Sequence, residues 1–599
     1  MGLSRVVGAA AAASTAITLA GFGTTAAQSA PDAGCPSAFP ESSLTVDQAV
    51  TGLTVTQGTT PDQFTGTVLG VLNDGIAPGM DMIMVKLSSP EIDQAGVWEG
   101  MSGSPVYAAN GQLIGAVSYG LATGPSPVAG VTPAADMEQL LSSAAPASAT
   151  ATHVALSTTM VKRIVTSGAA TTSETSGGMD RLRTPFVMSG MADRERLHRF
   201  TRPLGLTGMH VMSGGAAGPS AAADPIVPGG NLAASISYGD VTAAGVGTVT
   251  AVCGDQVLGF GHPMNFTGDS TMTMHGADAI YIQQDPTLAG FKVANIGAPT
   301  GEITGDHLAG IVGTTAQNPP VTDVASTVTV GAASRQGDTK ISMQQAVPDI
   351  ASAQLVADQD RVFDGIGKGS GTVGWTIRGT RPDGTAFILH RKDMYADPGD
   401  ISEATSYPFT DALYRIADNG SGDVTFTSIT TKSTLSHDYG TYSVGQVQFR
   451  FHGVWMTATR KGLIPVLPGR PLHVRVLLNS QQFGPRTVAA TLDVPMRVGH
   501  AGGVLQVYGG HSDSSGDPFE ALFGSGGSGP YAFGGGGGAM SAPSLDKVLH
   551  SIRVAPHNDQ VVVDLSLFNR RGQRTNHLQT RVSTGQVVNG HRAFPAAAL

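Results

Sequence analysis

Turn-forming residues are spread along the whole chain and limit the secondary structure that it can form. The sequence has 80 glycines and 35 prolines among 599 residues, while charged residues make up only 13%. This composition favours short extended segments joined by turns over long surface helices. A chain of this length exceeds what one hydrophobic core supports, so we expect several domains and a β-rich protein.

The first 30 residues have the pattern of a secretory signal peptide. One basic residue, Arg5, precedes a mostly apolar run from Val6 to Phe22, and small residues follow as far as Ala30. Cleavage after Ala27 or Ala30 fits this pattern. A retained membrane anchor is the alternative, but the run is short and rich in alanine. We therefore expect a secreted or cell-envelope-associated protein with no membrane span after cleavage.

Charge and cysteine content argue against several classes of partner. The formal net charge is -10 and the chain has no basic cluster, so we expect no nucleic-acid partner. Neither a His-Glu-x-x-His spacing nor a calcium-loop spacing is present, and we expect no metal and no cofactor. Two cysteines, Cys35 and Cys253, cannot build a cysteine zinc site. In an exported chain they predict one disulfide.

Short apolar runs separated by turns suggest five regions after the signal peptide of residues 1–30. They are a serine-bearing β unit (31–150), a linker with local helix (151–222), a histidine-bearing β unit (223–345), a β-sandwich-like region (346–500) and a C-terminal β region (501–599). Residues 44–145 and 225–315 should pack together, because each unit alone has too few strands to close a barrel. The glycine-dense stretch from Gly524 to Gly538 predicts a surface insertion. A phosphate loop is the alternative, although the Gly-Lys-Ser/Thr ending is missing.

The segment Gly100-Met-Ser-Gly-Ser-Pro105 carries the clearest chemical signal in the chain. A serine nucleophile for acyl transfer needs a tight turn that presents its hydroxyl and lets backbone amides converge on the developing oxyanion. Glycines on both sides of Ser102 allow such a backbone. An ordinary β-turn is the alternative, because Gly, Ser and Pro are common in turns.

This segment is similar to the Gly-x-Ser-Gly-Gly/Ser-Pro pattern of chymotrypsin-like peptidases. The resemblance implies that the amides of Gly100 and Ser102 hold the oxyanion. The run from Leu113 to Gly120 ends Val-Ser-Tyr-Gly and resembles the strand that follows the nucleophile in those enzymes. That likeness implies a substrate cleft in which an extended peptide adds as a further strand, lined by Ser118, Tyr119 and Gly120.

A narrower resemblance is to the SpoIVB-type peptidases, secreted serine peptidases of chymotrypsin-like character. The run from Gly79 to Tyr119 resembles their nucleophile region, and Val257-Leu-Gly-Phe-Gly-His-Pro263 resembles their histidine segment. The family implies a mainly β fold, with a chymotrypsin-like double β-barrel peptidase domain followed here by β-sandwich-like accessory regions. It also implies a secreted serine endopeptidase that works through an acyl-enzyme, with Ser102 as nucleophile and His262 as general base.

The order of the two segments departs from the family, because here the histidine segment follows the serine segment. Catalytic triads occur in several chain orders, since only spatial geometry matters. His275 and His307 lie in the same β unit and are the alternative bases. A PDZ-type domain, which SpoIVB-type peptidases carry, is not evident in this chain.

The acid that would orient the histidine is left open by the sequence. Asp81 begins a stretch similar to the Asp-x-x-x-x-Lys-Leu strand of trypsin-like enzymes, and a solvated aspartate at a strand edge is the alternative. Where SpoIVB-type peptidases have Asp before Pro, this chain has Ser89 before Pro90. A Ser-His dyad without an acid is the other reading.

The expected substrate is a protein or peptide. The chain itself is one candidate, because SpoIVB-type peptidases cleave themselves and the Ala/Ser/Thr-rich stretch over residues 142–223 suggests an exposed linker. The competing hypothesis is a non-catalytic exported envelope protein that uses the barrel as a scaffold or binding module. It is favoured by the reversed order, the missing acid and the large C-terminal β region.

Overall fold

Strands dominate the computed structural model of the chain, with 50% of residues in strands and 17% in helices. The expectation of a mainly β protein is confirmed. The structure describes residues 35–142, 151–192, 194–204, 206, 209–213, 222–286, 289–498, 502–511 and 542–599. The predicted signal peptide and the stretch from Gly524 to Gly538 lie outside these ranges. No helix in the described part of the chain is long and apolar enough to cross a membrane.

The first barrel is a closed ring of six antiparallel strands. Pairing runs in the order β1-β2-β3-β6-β5-β4, and β4 closes the ring by pairing with both β5 and β1. Gly111, at φ +82°, forms the predicted turn between β4 and β5. The strands and flanking helices are β1 (Ala49–Thr54), β2 (Asp62–Ala77), β3 (Met80–Ser88), α1 (Pro90–Ala95), β4 (Pro105–Ala108), β5 (Leu113–Leu121), β6 (Val128–Pro133) and α2 (Ala134–Glu138).

A connecting region follows, and its described residues form short strands and helices. Two of its strands extend the sheets of the barrels. Met179–Arg181 pairs with β5 of the first barrel, and Pro185–Met188 pairs with a strand of the second barrel. Its elements are β7 (His153–Val154), α3 (Thr158–Thr166), α4 (Thr172–Thr175), β8 (Met179–Arg181), β9 (Pro185–Met188), α5 (Arg194–Thr201) and β10 (His210–Ser213).

The second barrel is also a closed antiparallel ring of six strands, in the order β11-β12-β13-β16-β15-β14. The expectation that neither unit can close a barrel alone was therefore wrong. Three of the barrel strands, β2, β14 and β15, are 16 or 17 residues long. They are longer than the short apolar runs in the sequence suggest. The strands are β11 (Asn231–Gly239), β12 (Ala243–Cys253), β13 (Gln256–Gly259), β14 (Gly268–Gln283), β15 (Phe291–His307) and β16 (Gly310–Thr314).

The two barrels pack against each other through a shared hydrophobic cluster. Leu113 and Ala116 of β5 and Met137 of α2 meet Leu258 of β13 in this cluster. Beside it, a disulfide joins Cys35, which precedes the first barrel, to Cys253 at the end of β12, with α-carbons 4.5 Å apart. Apolar burial and one covalent link thus hold the barrels together.

The sheet of the second barrel continues into a layer covered by two long helices. β18 pairs with β11, so the layer shares its sheet with the barrel. The elements are β17 (Thr322–Val330), β18 (Ala333–Ile341), α6 (Val347–Phe363), β19 (Gly369–Thr380), β20 (Ala386–Asp397), α7 (Ile401–Ala417) and β21 (Thr425–Ser436). The sequence did not predict α6, because buried polar residues such as Gln354 and Gln359 interrupt its apolar pattern. These side chains bond to the neighbouring strands: Gln354 donates to the carbonyl of Val324, and Gln359 to the hydroxyl of Ser433.

The C-terminal part is a sandwich of two sheets over one hydrophobic cluster. One sheet has the order β23-β22-β25-β26, with β30 beside β22, and the other has the order β24-β31-β27-β28-β29. The bounds are β22 (Tyr442–Phe451), β23 (Val454–Thr457), β24 (Ile464–Val466), β25 (Pro471–Asn479), β26 (Arg486–Asp493), β27 (Gly502–Gly509), α8 (Leu545–Val554), β28 (Gln560–Phe568), β29 (Arg574–Ser583), β30 (Val588–Asn589) and β31 (His591–Ala598). The fold class is therefore a double β-barrel followed by sandwich-like β regions, as the sequence indicated.

Removing the disulfide should loosen the barrel pair. We expect a Cys35→Ser/Cys253→Ser double variant to lose about 2 to 5 kcal/mol of unfolding free energy, because the link closes a long loop in the unfolded chain. Urea titration followed by hydrogen-exchange mass spectrometry of barrel peptides measures the change. An unchanged midpoint in the barrels, with the sandwich peptides as internal control, would contradict this prediction.

Candidate active site

Ser102 lies on a turn between α1 and β4 that is docked onto the second barrel. The carbonyl of Ser102 accepts a hydrogen bond from the amide of Thr248 at 2.8 Å. The hydroxyl of Thr248 donates to the carbonyl of Gly100, and the hydroxyl of Thr250 donates to the carbonyl of Gly103. Both threonines are on β12. The turn that carries Ser102 in one barrel is thus held by a strand of the other.

Glycine is required on both sides of Ser102. Gly100 and Gly103 have φ values of +91° and +96°, in the region that side chains disfavour. A Cβ atom at Gly103 would also lie 2.1 Å from the carbonyl oxygen of Thr248. The turn and its contact with β12 therefore depend on these two residues.

Two backbone amides on this turn are free to bind an oxyanion. The amides of Met101, Gly103 and Ser104 donate to the carbonyls of Trp98, Val117 and Met101. In contrast, the amides of Gly100 and Ser102 donate to no acceptor in the described ranges. These are the two donors that the resemblance implied.

His262 meets Ser102 from the second barrel. Its Nε2 lies 2.8 Å from Oγ of Ser102, and its Nδ1 lies 2.8 Å from the carbonyl oxygen of Pro263. A carbonyl only accepts hydrogen bonds, so Nδ1 carries the proton and Nε2 presents a lone pair to the serine hydroxyl. This is the tautomer that a general base for Ser102 requires.

The loop that carries His262 follows β13 and is held at both ends. The hydroxyl of Thr132 in the first barrel donates to the carbonyl of Gly261 at 2.6 Å. Phe260 has φ +67°, which is unfavourable for a bulky side chain, and its ring is completely buried. Burial of the ring stabilises this strained backbone just before the histidine.

Asp306, at the end of β15, anchors the other side of the loop. Its carboxylate is fully buried and accepts from the amides of Met264 and Asn265, both at 2.7 Å, and from the amide of Thr267. Sequence analysis did not identify this residue, because an aspartate that binds amides about 40 positions earlier has no local pattern. Asp306 positions the histidine loop and does not contact the imidazole.

Burial keeps the imidazole of His262 neutral. Loss of solvent, together with the positive charge of Arg181, lowers its pKa to about 3, although the hydrogen bond to Pro263 opposes the shift. A neutral imidazole is the form that can take a proton from Ser102.

Asp81 does not orient His262, which corrects the sequence-based candidate. Its Oδ1 accepts a hydrogen bond from the amide of Asp74 across the β2–β3 hairpin, and its side chain is half-buried there. Within the described residues, the ring nitrogens of His262 bond only to Ser102 and Pro263. The site is therefore a Ser-His pair with a backbone carbonyl in the place of an acid.

The alternative base His275 belongs to a second Ser-His pair. Its Nε2 lies 2.8 Å from Oγ of Ser235, and its Nδ1 bonds to the carbonyl of Gly297. Ser235 is in the middle of β11, which pairs with β12 and β14 on its two sides. A serine within a paired strand has no converging free amides, so this pair is part of the core of the barrel. His307, the other alternative, has no hydrogen bond to Ser102.

The edge predicted to bind substrate is occupied by the chain itself. In the antiparallel pairing of β5 with β8, Tyr119 faces Arg181 and Gly120 faces Asp180. The amide of Leu182 then donates to the carbonyl of Ser118 at 3.0 Å. This part of the connecting region is therefore not the exposed linker that its composition suggested.

A small cavity remains between this segment and the histidine. It has a volume of about 220 Å³ and its walls include Arg181, Leu182, Thr184 and His262. His262 therefore lies beside a recess to which the segment contributes part of the wall.

Comparisons of the chain with protein-family models, with curated proteins and with solved structures gave no match. The functional assignment therefore depends on the geometry of the site.

Replacing Asp306 should loosen the histidine loop. In Asp306→Asn one oxygen acceptor becomes an NH₂ donor that faces backbone amides, so we expect a loss of about 2 kcal/mol in stability. Hydrogen exchange should become faster at Met264 and Asn265. Asp269→Asn, an exposed change in the same sheet, is the matched control. Unchanged exchange in Asp306→Asn would contradict the anchoring role.

Acidification should destabilise the second barrel through its buried histidines. Burial lowers the pKa of His275 to about 4, although hydrogen bonds to backbone groups oppose the shift. Because an unfolded histidine titrates near 6.5, the unfolded chain binds more protons between about pH 6.5 and 4, and stability falls as the pH drops through that window. Between pH 7.5 and 5, we expect His275→Gln to lose less unfolding free energy than the wild type, by on the order of 1 kcal/mol. Thermal unfolding at both pH values measures this, with exposed His550→Gln as control. Equal pH dependence in wild type and His275→Gln would contradict it.

Proposed function

We propose that this chain is a serine endopeptidase of the SpoIVB type that hydrolyses peptide bonds through an acyl-enzyme on Ser102. The observation that carries the proposal is the 2.8 Å contact between Oγ of Ser102 and Nε2 of His262, beside the two free amides of Gly100 and Ser102. Nucleophile, base and oxyanion donors are the three elements that acyl transfer requires.

The chemistry follows from these atoms. Oγ of Ser102 attacks the carbonyl carbon of a peptide bond while its proton moves to Nε2 of His262. The oxygen of the tetrahedral intermediate accepts hydrogen bonds from the amides of Gly100 and Ser102. The C–N bond then breaks, the leaving amine takes the proton from His262, and an acyl group remains on Ser102. Water repeats the sequence, releases a carboxylic acid and restores the hydroxyl.

A dyad fits the surroundings of the histidine better than a triad does. The carbonyl of Pro263 sets the tautomer of His262, which is one of the two tasks of a triad aspartate. It carries no negative charge, so it stabilises the imidazolium of the transition state less than a carboxylate does. We therefore expect a slower enzyme than one with a complete triad.

The resemblance of the serine and histidine segments supports the family, and the signal-peptide pattern supports export to the cell envelope or beyond. The double barrel supports the same assignment, because it brings the two segments together in spite of their reversed order. The competing function is a non-catalytic envelope protein. It is favoured by the missing acid and by the occupied cleft, and it predicts that Ser102 has no special reactivity.

Labelling with a fluorophosphonate probe tests the proposal. We expect Ser102 to be the labelled residue, identified by peptide mapping, and labelling to be absent in Ser102→Ala. His262→Ala should slow the labelling by roughly three orders of magnitude or more, because the base and the nucleophile act as one unit. The same labelling is measured in Leu182→Gly. In this variant the segment that contains residue 182 should bind the cleft more weakly, because its buried leucine side chain is removed.

The second Ser-His pair provides the matched control. Ser235→Ala removes a serine that also lies 2.8 Å from a histidine, and its labelling should equal that of the wild type. Ser104→Ala should also keep its reactivity, because this hydroxyl donates to Thr54 inside the barrel. Absence of labelling at Ser102 in both the wild type and Leu182→Gly, with folding confirmed by circular dichroism, would favour the scaffold instead.

A further inference from the structure

One extended segment of the connecting region runs through the whole candidate cleft. It enters as β8 on the first barrel and leaves as β9 on the second, where Phe186 pairs with Gly245 and Met188 pairs with Ala243. Between these strands, residues 182 to 185 cross beside the catalytic pair. A Cβ atom at Gly100 would lie 3.2 Å from Cγ of Pro185, so the segment also passes close to the nucleophile turn.

The segment binds as an added strand, which is how an extended peptide is recognised at a sheet edge. Backbone hydrogen bonds with β5 give affinity in this mode, and pockets for alternate side chains give specificity. The last of these bonds joins the amide of Leu182 to the carbonyl of Ser118, next to the catalytic pair. Leu182 is therefore the residue whose side chain reaches the pocket nearest to Ser102.

That pocket is apolar and is shaped for a leucine. The side chain of Leu182 is only 5% exposed and belongs to the same hydrophobic cluster as Trp98 and Met101 on the nucleophile turn. A Cβ atom at Gly120 would lie 3.2 Å from Cδ2 of Leu182, so glycine at this position makes room for the side chain. A carboxylate in this pocket would lose its solvation, and it would lie close to the buried acid Glu99, which lines a small cavity together with Leu182.

The segment fills the cleft without meeting the requirements of a reacting substrate. The amides of Gly100 and Ser102 are free within the described ranges, so the carbonyl of Leu182 is outside the oxyanion site. Arg181, on the segment itself, places a positive charge near His262 and lowers the basicity of the imidazole. Both features disfavour attack on the bond between Leu182 and Arg183.

We propose that residues 180–188 are a built-in ligand of the substrate cleft, and that the pocket of Leu182 selects peptides with a leucine-sized apolar residue before the cleaved bond. This inference depends on the proposed peptidase function and adds its substrate class. It also means that the protein is latent while the segment remains in the cleft.

Peptide anilides with the sequence of the segment test whether residues 180–188 block the cleft and whether the pocket selects leucine. Acetyl-Asp-Arg-Leu-p-nitroanilide reproduces residues 180–182, and acetyl-Asp-Arg-Asp-p-nitroanilide places a charge in the pocket. We expect Leu182→Gly to hydrolyse the leucine substrate at least about tenfold faster than the wild type, because loss of a buried leucine weakens the hold of the segment by that factor or more. The aspartate substrate should be hydrolysed at least about tenfold more slowly than the leucine substrate by the same variant.

The matched control is Leu472→Gly, which removes a leucine that is buried to a similar extent from strand β25 of the C-terminal sandwich. It should remain as slow as the wild type. Leu182→Ala is the milder variant if Leu182→Gly does not fold, and it should change the rate in the same direction. Fluorophosphonate labelling of Ser102 is measured on every protein in parallel.

The outcomes separate this inference from the proposed function. If Ser102 is labelled in all folded proteins but Leu182→Gly is no faster than the wild type, or accepts aspartate as well as leucine, the inference is wrong and the peptidase assignment stands. If Ser102 is labelled in none of them, both are wrong. A cut between Leu182 and Arg183 that requires Ser102 would overturn the latent state, because the segment would then be a substrate.

Discussion

The contact between strand β12 and the turn that carries Ser102 is the interaction on which the site depends. Carbonyl groups of the turn accept hydrogen bonds from Thr248 and Thr250, and the left-handed conformation of Gly103 makes this close approach possible. The turn uses its carbonyls to bind the second barrel, so the amides of Gly100 and Ser102 remain available for an oxyanion. The same docking brings the serine hydroxyl within 2.8 Å of His262.

The histidine side is organised in a complementary way, with a backbone carbonyl in the position that an acid occupies in a triad. The carbonyl of Pro263 sets the tautomer, while the carboxylate of Asp306 binds the amides of the following loop. An acidic side chain is thus present in this barrel, but it binds the backbone of the loop and not the imidazole. This arrangement favours precise placement of His262 over electrostatic stabilisation of its charged form.

Occupation of the cleft by the chain connects fold and chemistry. A strand edge that is open in an active peptidase would expose unpaired backbone groups, and pairing with β8 satisfies them. Burial, together with the charge that Arg181 of the segment places near the ring, lowers the basicity of His262. Both barrels contribute edges to the segment, so its release would expose the cleft along its full length.

Local features of the sequence identified the serine turn, the histidine segment, the cysteine pair and the mainly β character. Each of these depends on a few neighbouring residues, such as glycines around a nucleophile or an Asn-Gly hairpin. Tertiary structure alone decided that His262 and not His275 meets Ser102, that Asp81 is remote from the imidazole, and that Asp306 supports the loop. It also decided that residues 180–188 lie in the cleft and that α6 is a buried helix. These properties depend on contacts between residues distant in the chain, and hydrophobic periodicity and turn chemistry carry no information about such contacts.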